Sequence, residues 1–323
     1  MKLLYALIGC LVMLSGPALS ADYKLRLGHA TTPESTQHTA ALKFAELVKE
    51  RTKGAVELNV FAGSSLGSDQ QMINLTRGGS VDIVFSGSTN FNGIVPQTAV
   101  LELPYIFRDS SHAYKVLDGK IGQGLLDELG KHNLKGLAYF ENGWRALTNN
   151  KRPVLTPADA SGLKVRSTPN PYHLQALRLL GMNPSPLPIS ELYTALETRA
   201  FDAQEHPIAV LWSSKFYEVQ KFLTLTNHAY SPIVSAMNKA KFERLPPEFQ
   251  KIMVDSAREA AAYQRDLNMK EERTIIEGLK KAGMQVVERP DLAPFQKIVQ
   301  ESVRAAYAEK HGTDLTTEIA AEK

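Results

Sequence analysis

Tyr23-Lys24-Leu25-Arg26-Leu27-Gly28 alternates apolar and polar side chains, the two-residue period of a half-buried strand. Val56-Glu57-Leu58-Asn59-Val60-Phe61 repeats that pattern. Between the two the spacing changes. Ala41, Phe44, Ala45, Leu47 and Val48 fall on one helical face, and Gly54 stands just past the end of a helix predicted over about Thr36 to Arg51. Ser68 is placed to cap a second helix running to Arg77, which Gly78-Gly79 stops. Val81 to Phe85 reads as a short buried strand. Strand–helix–strand units of this spacing imply a parallel sheet with helices on both faces. The pattern resumes with strands at Gly136 to Phe140 and Leu163 to Arg166, then helices to Leu180 and near Ile189 to Arg199, then a strand at Phe201 to Gln204. The chain reads as α/β, with no internal repeat and no low-complexity stretch.

Outward from these units, the 323 residues suffice for two domains at roughly 100–200 residues each. A composition of 43% hydrophobic and 22% charged residues excludes a disordered chain. The net charge is +3, with bases and acids interspersed, so no nucleic-acid partner is expected. One cysteine, Cys10, excludes a disulfide framework, a cysteine zinc site and an iron–sulfur cluster. The eight histidines show no metal-ligand spacing, so neither a metal nor a cofactor is expected.

Residues 1–20 have the form of a secretory signal: Lys2, the apolar run Leu3 to Leu14, the breaker Pro17, and Ala18-Leu19-Ser20 before a cut at Ala21. Leu7-Ile8-Gly9-Cys10 loosely matches a lipoprotein cleavage site, but too few residues precede Cys10 for an apolar core of its own. The apolar run is too short to span a bilayer, and no later segment reaches the roughly 18 apolar residues of a span. An exported chain not embedded in the membrane follows as the expectation.

From Glu248 through Glu277 there is no Pro or Gly, and Ile252, Val254, Ala257, Ala261, Leu267 and Ile275 keep roughly helical spacing. A helix of about 30 residues would be about 45 Å long. It is either a surface helix or a beam lying across two domains, and the chain's length favours the beam.

Gly63-Ser64-Ser65-Leu66-Gly67 matches the G-x-S-x-G pattern of a hydrolase nucleophile elbow after a strand. The elbow needs its helix to begin at once, whereas Gly67-Ser68-Asp69 intervenes and Ser68 reads as the cap. A turn of small residues explains the motif without catalysis. No Walker loop, H-E-x-x-H or G-x-G-x-x-G is present, and no catalytic residue is expected.

Arg166 ends an apolar strand, and Pro169 and Asn170 open the next helix. Ligands of doubly wound sheets sit at strand C-termini beside helix N-termini, where the rigid arginine fork suits a carboxylate. An exposed arginine at a strand end is the equal alternative. Arg145, in Glu141-Asn142-Gly143-Trp144-Arg145, also follows a strand, at the apparent domain boundary, where clefts commonly bind small ligands.

At these residues the sequence resembles a known family. The blocks Gly162-Leu163-Lys164-Val165-Arg166, Glu191-Leu192-Tyr193-Thr194-Ala195-Leu196, Asp202-Ala203-Gln204-Glu205-His206-Pro207 and Lys215-Phe216-Tyr217-Glu218-Val219-Gln220-Lys221-Phe222-Leu223 are similar to the DctP-type substrate-binding proteins of tripartite ATP-independent periplasmic (TRAP) transporters. The likeness covers nearly the whole chain after the signal, including Leu103-Pro104-Tyr105. Glu197-Thr198-Arg199 and Asn227-His228-Ala229-Tyr230-Ser231-Pro232 resemble the family's diketogulonate-binding members.

The resemblance implies a two-lobed periplasmic binding fold with crossing hinge strands and one long helix spanning both lobes. The lobes it suggests are 21–142 with 231–271, and 143–230 with 272–323. It implies that Arg166 pairs with a ligand carboxylate and that Arg145 adds a contact. His206 stands where the family usually has a ligand-contacting Asn, which leans the reading from C4-dicarboxylates toward sugar acids of the diketogulonate or uronate kind. Ser88 and Asn90 are expected to face the cleft from the first lobe, with His29 and His38 completing the candidate set. Trp212 either covers an apolar sugar face or packs in the core. The implied partners are a small organic acid and the small and large membrane subunits of a permease. A C4-dicarboxylate or another small organic acid, a sensor role, or a periplasmic hydrolase using Ser65 remain as alternatives.

Overall fold

The computed structural model describes residues 21–322, so the signal segment and Cys10 lie outside the described residues. The strands are β1 (Tyr23–His29), β2 (Val56–Phe61), β3 (Ile83–Gly87), β4 (Leu134–Asn149), β5 (Lys164–Ser167), β6 (Asn183–Pro186), β7 (Ala203–Pro207), β8 (Phe222–Thr224), β9 (Tyr230–Asn238) and β10 (Gln285–Val287). They form one sheet in the order β2-β1-β3-β9-β4-β7-β5-β6, with β8 beside the end of β4 and β10 beside β8.

The sheet is mixed, not parallel throughout as the early units suggest. β1 runs parallel to β2 and β3, and β5 to β6 and β7. β9 is antiparallel to β3 and β4, and β4 to β7 and β8. The difference arises because β4 and β9 are not products of helical crossovers: they carry the chain between the two halves of the sheet. Leu134 to Trp144 of β4 pair with β9, while Arg145 to Asn149 pair with β7 and β8.

The sequence pattern stops this strand at Phe140, yet it continues to Asn149. A register shift between Glu141 and Gly143 hides the continuity, and Gly143 takes φ 113°, a backbone region that costs only glycine little.

Local signals are obeyed elsewhere. Ser35 caps helix Thr36–Arg51 by accepting from the His38 N–H, and Ser68 with Gln71 closes a capping box on helix Asp69–Arg77. Ser65 is therefore an exposed turn residue, between Ser64 at φ 58° and Gly67 at φ 116°. Among the described residues no hydrogen bond joins it to a histidine, so the elbow geometry is not formed.

The long helix runs over Pro247–Lys281, 35 residues, or about 52 Å at 1.5 Å per residue. Its first part buries Met253, Ala257, Ala260 and Ala261 in a cluster with Leu27, Phe44, Phe85 and Phe140. Its last part buries Ile275 and Leu279 with Leu192, Leu211 and Phe216 from the other half of the sheet. One helix thus contributes to both cores, as the beam reading expects. Helix Ala293–His311 also reaches across: Phe295 packs with Val165 and Leu177, whereas Val303 and Tyr307 pack with Leu101 and Leu126. Among the described residues no helix is long and apolar enough to cross a membrane.

Small residues let the beam lie close to helix Thr36–Arg51, against which it packs. Ala260 is fully buried there. Ala260→Leu is expected to overpack the contact and lower stability by about 1–3 kcal/mol in urea unfolding. An unchanged midpoint would show that the two helices have room to spare.

Candidate functional site

A cavity of about 230 Å³ opens between the two halves of the sheet, at the crossing strands. Arg145 of β4 with Ser231 and Ile233 of β9 form its floor. Asp69, Ser86, Thr89 and Asn90 line the wall on the β1–β3 side, and Arg166, Thr168, Leu187 and His206 line the opposite wall. Beside the cavity the Thr32 hydroxyl donates to the Ser213 carbonyl at 3.3 Å, joining the two halves directly.

Arg166 is buried at the end of β5. Its Nε and Nη2 donate to the Leu187 carbonyl at 2.8 and 2.5 Å, and Nη1 donates to His206 Nε2 at 3.1 Å. Leu187 lies between Pro186 and Pro188, and a residue before proline is held extended, which fixes the direction of this carbonyl. A guanidinium has five N–H donors, so one remains on each terminal nitrogen, the number that a bidentate carboxylate takes. Among the described residues no carboxylate lies within ion-pair distance of Arg166. Burial, with Arg145 acting the same way, lowers its pKa to about 10, so the group stays charged at neutral pH.

His206 is the immediate support of that arginine. Burial first, then Arg166 and Arg145, hold its imidazole well below the usual pKa, so it is neutral. Nδ1 faces Gln204 Oε1 at 2.6 Å and Nε2 faces Arg166, which assigns the proton to Nδ1. Gln204 in turn donates to Thr148, and Thr148 donates to Gln220. Both ring nitrogens are thus engaged within the protein. His206 does not cap the following helix, Ile208–Ser213, which has no side-chain cap.

Arg145 lines the same cavity but is matched in charge. It pairs with Glu205 through Nε and donates to the Glu205 carbonyl at 2.7 Å and to Ser231 Oγ at 3.1 Å. Burial alone would lower its pKa, but Glu205 and Glu102 raise it. Burial would raise Glu205, but Arg145 foremost holds it well below the carboxylate range. Arg145 is therefore the floor's structural cation, and Arg166 is the cation without a partner of opposite charge.

The other candidate residues divide. Asn90 lines the cavity and donates to Ser86 Oγ at 3.0 Å, and Ser86 donates to Asp69 at 2.6 Å. Ser88 points away, into the interior, where it donates to Glu102 at 2.5 Å. The cleft-facing hydroxyls of this loop are Ser86 and Thr89 instead, because the strand ends at Gly87 and a helical turn over Ser88–Phe91 breaks its alternation. His29 and His38 meet each other at 3.0 Å behind the wall, and His29 is bridged to the cavity through Thr31 at 3.1 Å. Trp212 lies outside the cavity, against Tyr217 with ring centroids 5.1 Å apart and the planes tilted by 30°. It also leans on Gly278 of the long helix, where an added Cβ would fall 2.8 Å from the indole. Among the described residues no cluster of His, Cys, Asp and Glu could hold a metal.

Sequence reading missed Leu187, Gln204 and Thr148 as supports of Arg166. A Pro-x-Pro loop opposite the anchor was the one signal available for Leu187.

Fold and cleft together define a solute-binding protein. The chain belongs to the family described as bacterial extracellular solute-binding protein, family 7, the DctP-type proteins, which it matches over residues 27–310. It is 48% identical over 314 residues to the 2,3-diketo-L-gulonate-binding periplasmic protein YiaO of Escherichia coli (strain K12), covering 96% of this chain and 95% of that one. A TRAP periplasmic solute binding protein from Polaromonas, bound to D-erythronate, superposes with a TM-score of 0.91 at 38% identity, over 93% of this chain and 99% of that one. Another, from Roseobacter denitrificans with bound β-D-glucuronate, gives 0.88 at 32%, over 93% and 100%. These relatives are solute-binding proteins, not enzymes.

The buried histidines give a pH dependence of stability. Burial, then His38, lowers His29 to about 4. In the unfolded chain a histidine takes a proton near pH 6.5, which the native His29 refuses until about 4. Its contribution is therefore complete above about 6.5 and is lost as pH falls, by up to about 1.4 kcal/mol per pH unit. Relative to His29→Gln, the wild type should lose stability between pH 7 and 5 in thermal unfolding. A difference between the two proteins that does not vary with pH would contradict the neutral, buried state.

Proposed function

We propose that the protein captures a sugar acid in the periplasm and delivers it to the small and large membrane subunits of a TRAP permease. The observation that carries this is Arg166: a buried guanidinium, lining a cavity, with two N–H donors left and no protein carboxylate beside it. Its remaining valence suits one carboxylate. Ser86, Thr89 and Asn90 on the facing wall offer hydroxyl and amide groups to a polyol tail. The names of relatives that take diketogulonate, erythronate and glucuronate support the sugar-acid reading. Arg145 keeps the floor positive next to the anchor, and His206 aims the anchor.

The test is a melting-temperature screen of organic acids followed by calorimetry with diketogulonate, glucuronate, galacturonate, gluconate and succinate. A sugar acid should be returned unchanged and bind more tightly than succinate. Arg166→Ala should weaken binding by a factor of about 30 or more, the cost of removing one partner of a buried charge pair. Arg166→Lys should not restore it, since an ammonium lacks the fork. Binding by Arg166→Ala within about threefold of wild type would remove the anchor assignment.

The reading also takes 21–142 with 231–271 and 143–230 with 272–323 as lobes that close over the acid, with β4 and β9 as the crossing strands. A ligand touching both walls stabilises the closed form. Small-angle scattering should give a smaller radius of gyration at saturating ligand. An identical profile with and without ligand would argue against a moving hinge.

A further inference from the structure

Below the cavity floor lies a carboxylate that anion binding leaves without a task. Glu102 ends the helical turn Pro96–Glu102 and is fully buried. Ser88 Oγ donates to its Oε1 at 2.5 Å, while Oε2 is buried without a hydrogen-bond partner. The nearest cation is Arg145, with Nη1 3.6 Å from Oε2. That guanidinium is already held by Glu205, so two buried carboxylates share one positive charge.

The remaining groups facing the cluster bring hydrogen bonds that relieve this in part, but no second ion-paired cation. His173 Nε2 stands 3.8 Å from Oε2, but it meets the backbone carbonyl of Glu102 at 2.7 Å. Burial foremost lowers its pKa to about 3, so it brings no charge. His228 Nε2 lies 3.4 Å from Glu205 Oε2 and serves that carboxylate, not Glu102. Ser231 accepts from Arg145 at 3.1 Å, and its own hydroxyl, like that of Ser88, opposes the rise at Glu102. Burial lifts the Glu102 carboxyl to about 7, with Glu205 adding to the rise and Arg145 and Ser88 opposing it.

Arg145 faces Glu102 on one side and lines the cavity on the other. An anion seated on Arg166 therefore adds a negative charge next to the one cation that the two carboxylates share. We propose that Glu102 takes up a proton when the cavity takes its anion, so that the protein captures an acid and a proton together. The step is balanced simply. The ligand stays a carboxylate on Arg166, and the ionised Glu102 accepts one proton from solvent and becomes a neutral carboxylic acid. Release of the ligand reverses both. The inference rests on the reading of the cavity as a carboxylate site.

The test is calorimetry at pH 7.5 with the tightest-binding acid of the panel above, in two buffers of different ionisation enthalpy. For the wild type, the buffer dependence should report uptake of a large fraction of one proton per ligand. Affinity should weaken by up to about tenfold per pH unit above neutrality. Glu102→Gln fixes the neutral form in the same shape. It should bind without proton uptake and with one affinity from pH 6 to 8.5, near that of the wild type at pH 6. Ser88→Ala removes a donor that favours the ionised form, so its profile should move to higher pH. Buffer-independent heats for the wild type, or a pH profile unchanged in Glu102→Gln, would overturn the coupling while leaving the binding site intact. If no acid binds the wild type at all, the carboxylate reading itself falls and the coupling falls with it.

Discussion

The buried ion pair of Arg145 and Glu205 is the constraint on which the cavity rests. It forms where β4 leaves β9 and meets β7, the one place at which the two halves of the sheet share a strand. Arg145 binds Glu205 through both side chain and backbone and reaches Ser231 of β9, while Ser167 of β5 donates to Glu205 at 2.6 Å. Four strands are therefore tied through one pair of charges. Removing one member of such a pair leaves an uncompensated buried charge, which costs about 3–5 kcal/mol. An apolar pair could pack the same junction. It would supply neither the positive floor nor the fixed direction that an anion site needs.

The anchor follows a different rule, since Arg166 has no counter-charge in contact. Its orientation comes from a relay with a single sense. Arg166 donates to His206, His206 to Gln204, Gln204 to Thr148, and Thr148 to Gln220. Arg166 can only donate, and His206, Gln204 and Thr148 each accept from one neighbour and donate to the next, so reversing one link would leave a buried donor facing a donor. This explains why an imidazole fits at position 206. A neutral ring passes the sense on while adding no charge beside the guanidinium. The site thus keeps its one unsatisfied cation for the ligand.

Much of the fold was legible because local rules and tertiary packing agree over the first units. The periodicities of Tyr23 to Phe61 and the cap at Ser68 appear in the structure as read. The long helix was legible from an unbroken run without Pro or Gly. β4 was not, because Gly143 at its centre reads as a terminator, whereas in three dimensions it absorbs a register shift between two sheet halves. Antiparallel pairing at the centre was hidden for the same reason, since strand direction is a property of partners far apart in the chain. In the site, Arg166 and Arg145 stood out as charges at strand ends. Glu102 did not, because in Leu101-Glu102-Leu103 it reads as an ordinary polar residue, and only tertiary burial brings it beside Arg145. Ser88 and Trp212 were placed at the ligand by position in a loop and by residue type, and neither reveals which way a side chain points.

The same architecture determines where the molecule can bend. The long helix is bound to one core through Ala257 to Ala261 and to the other through Ile275 and Leu279. Between them, Asp266, Met269, Lys270, Glu272, Arg273 and Thr274 are exposed. Apart from buried Gln264 and Arg265, which bond Glu141 and Tyr139 of β4 and Asp118, few buried contacts hold this middle stretch, so a change of angle costs least beyond them. It lies beside the irregular part of β4: Asn268 donates to Glu141 Oε2 at 3.1 Å, and Glu141 is the residue at which the register shifts. The beam's loosely packed turn and the strand's bulge are thus neighbours, and both mark the boundary between the two cores. In the closure proposed above, Arg166 and Asn90, which line opposite walls of the cavity, move relative to each other, and helix Ala293–His311, the second bridge, has to follow. Because the Arg145–Glu205 pair sits where β4 meets β7, the closure proposed above does not require this charge pair to break.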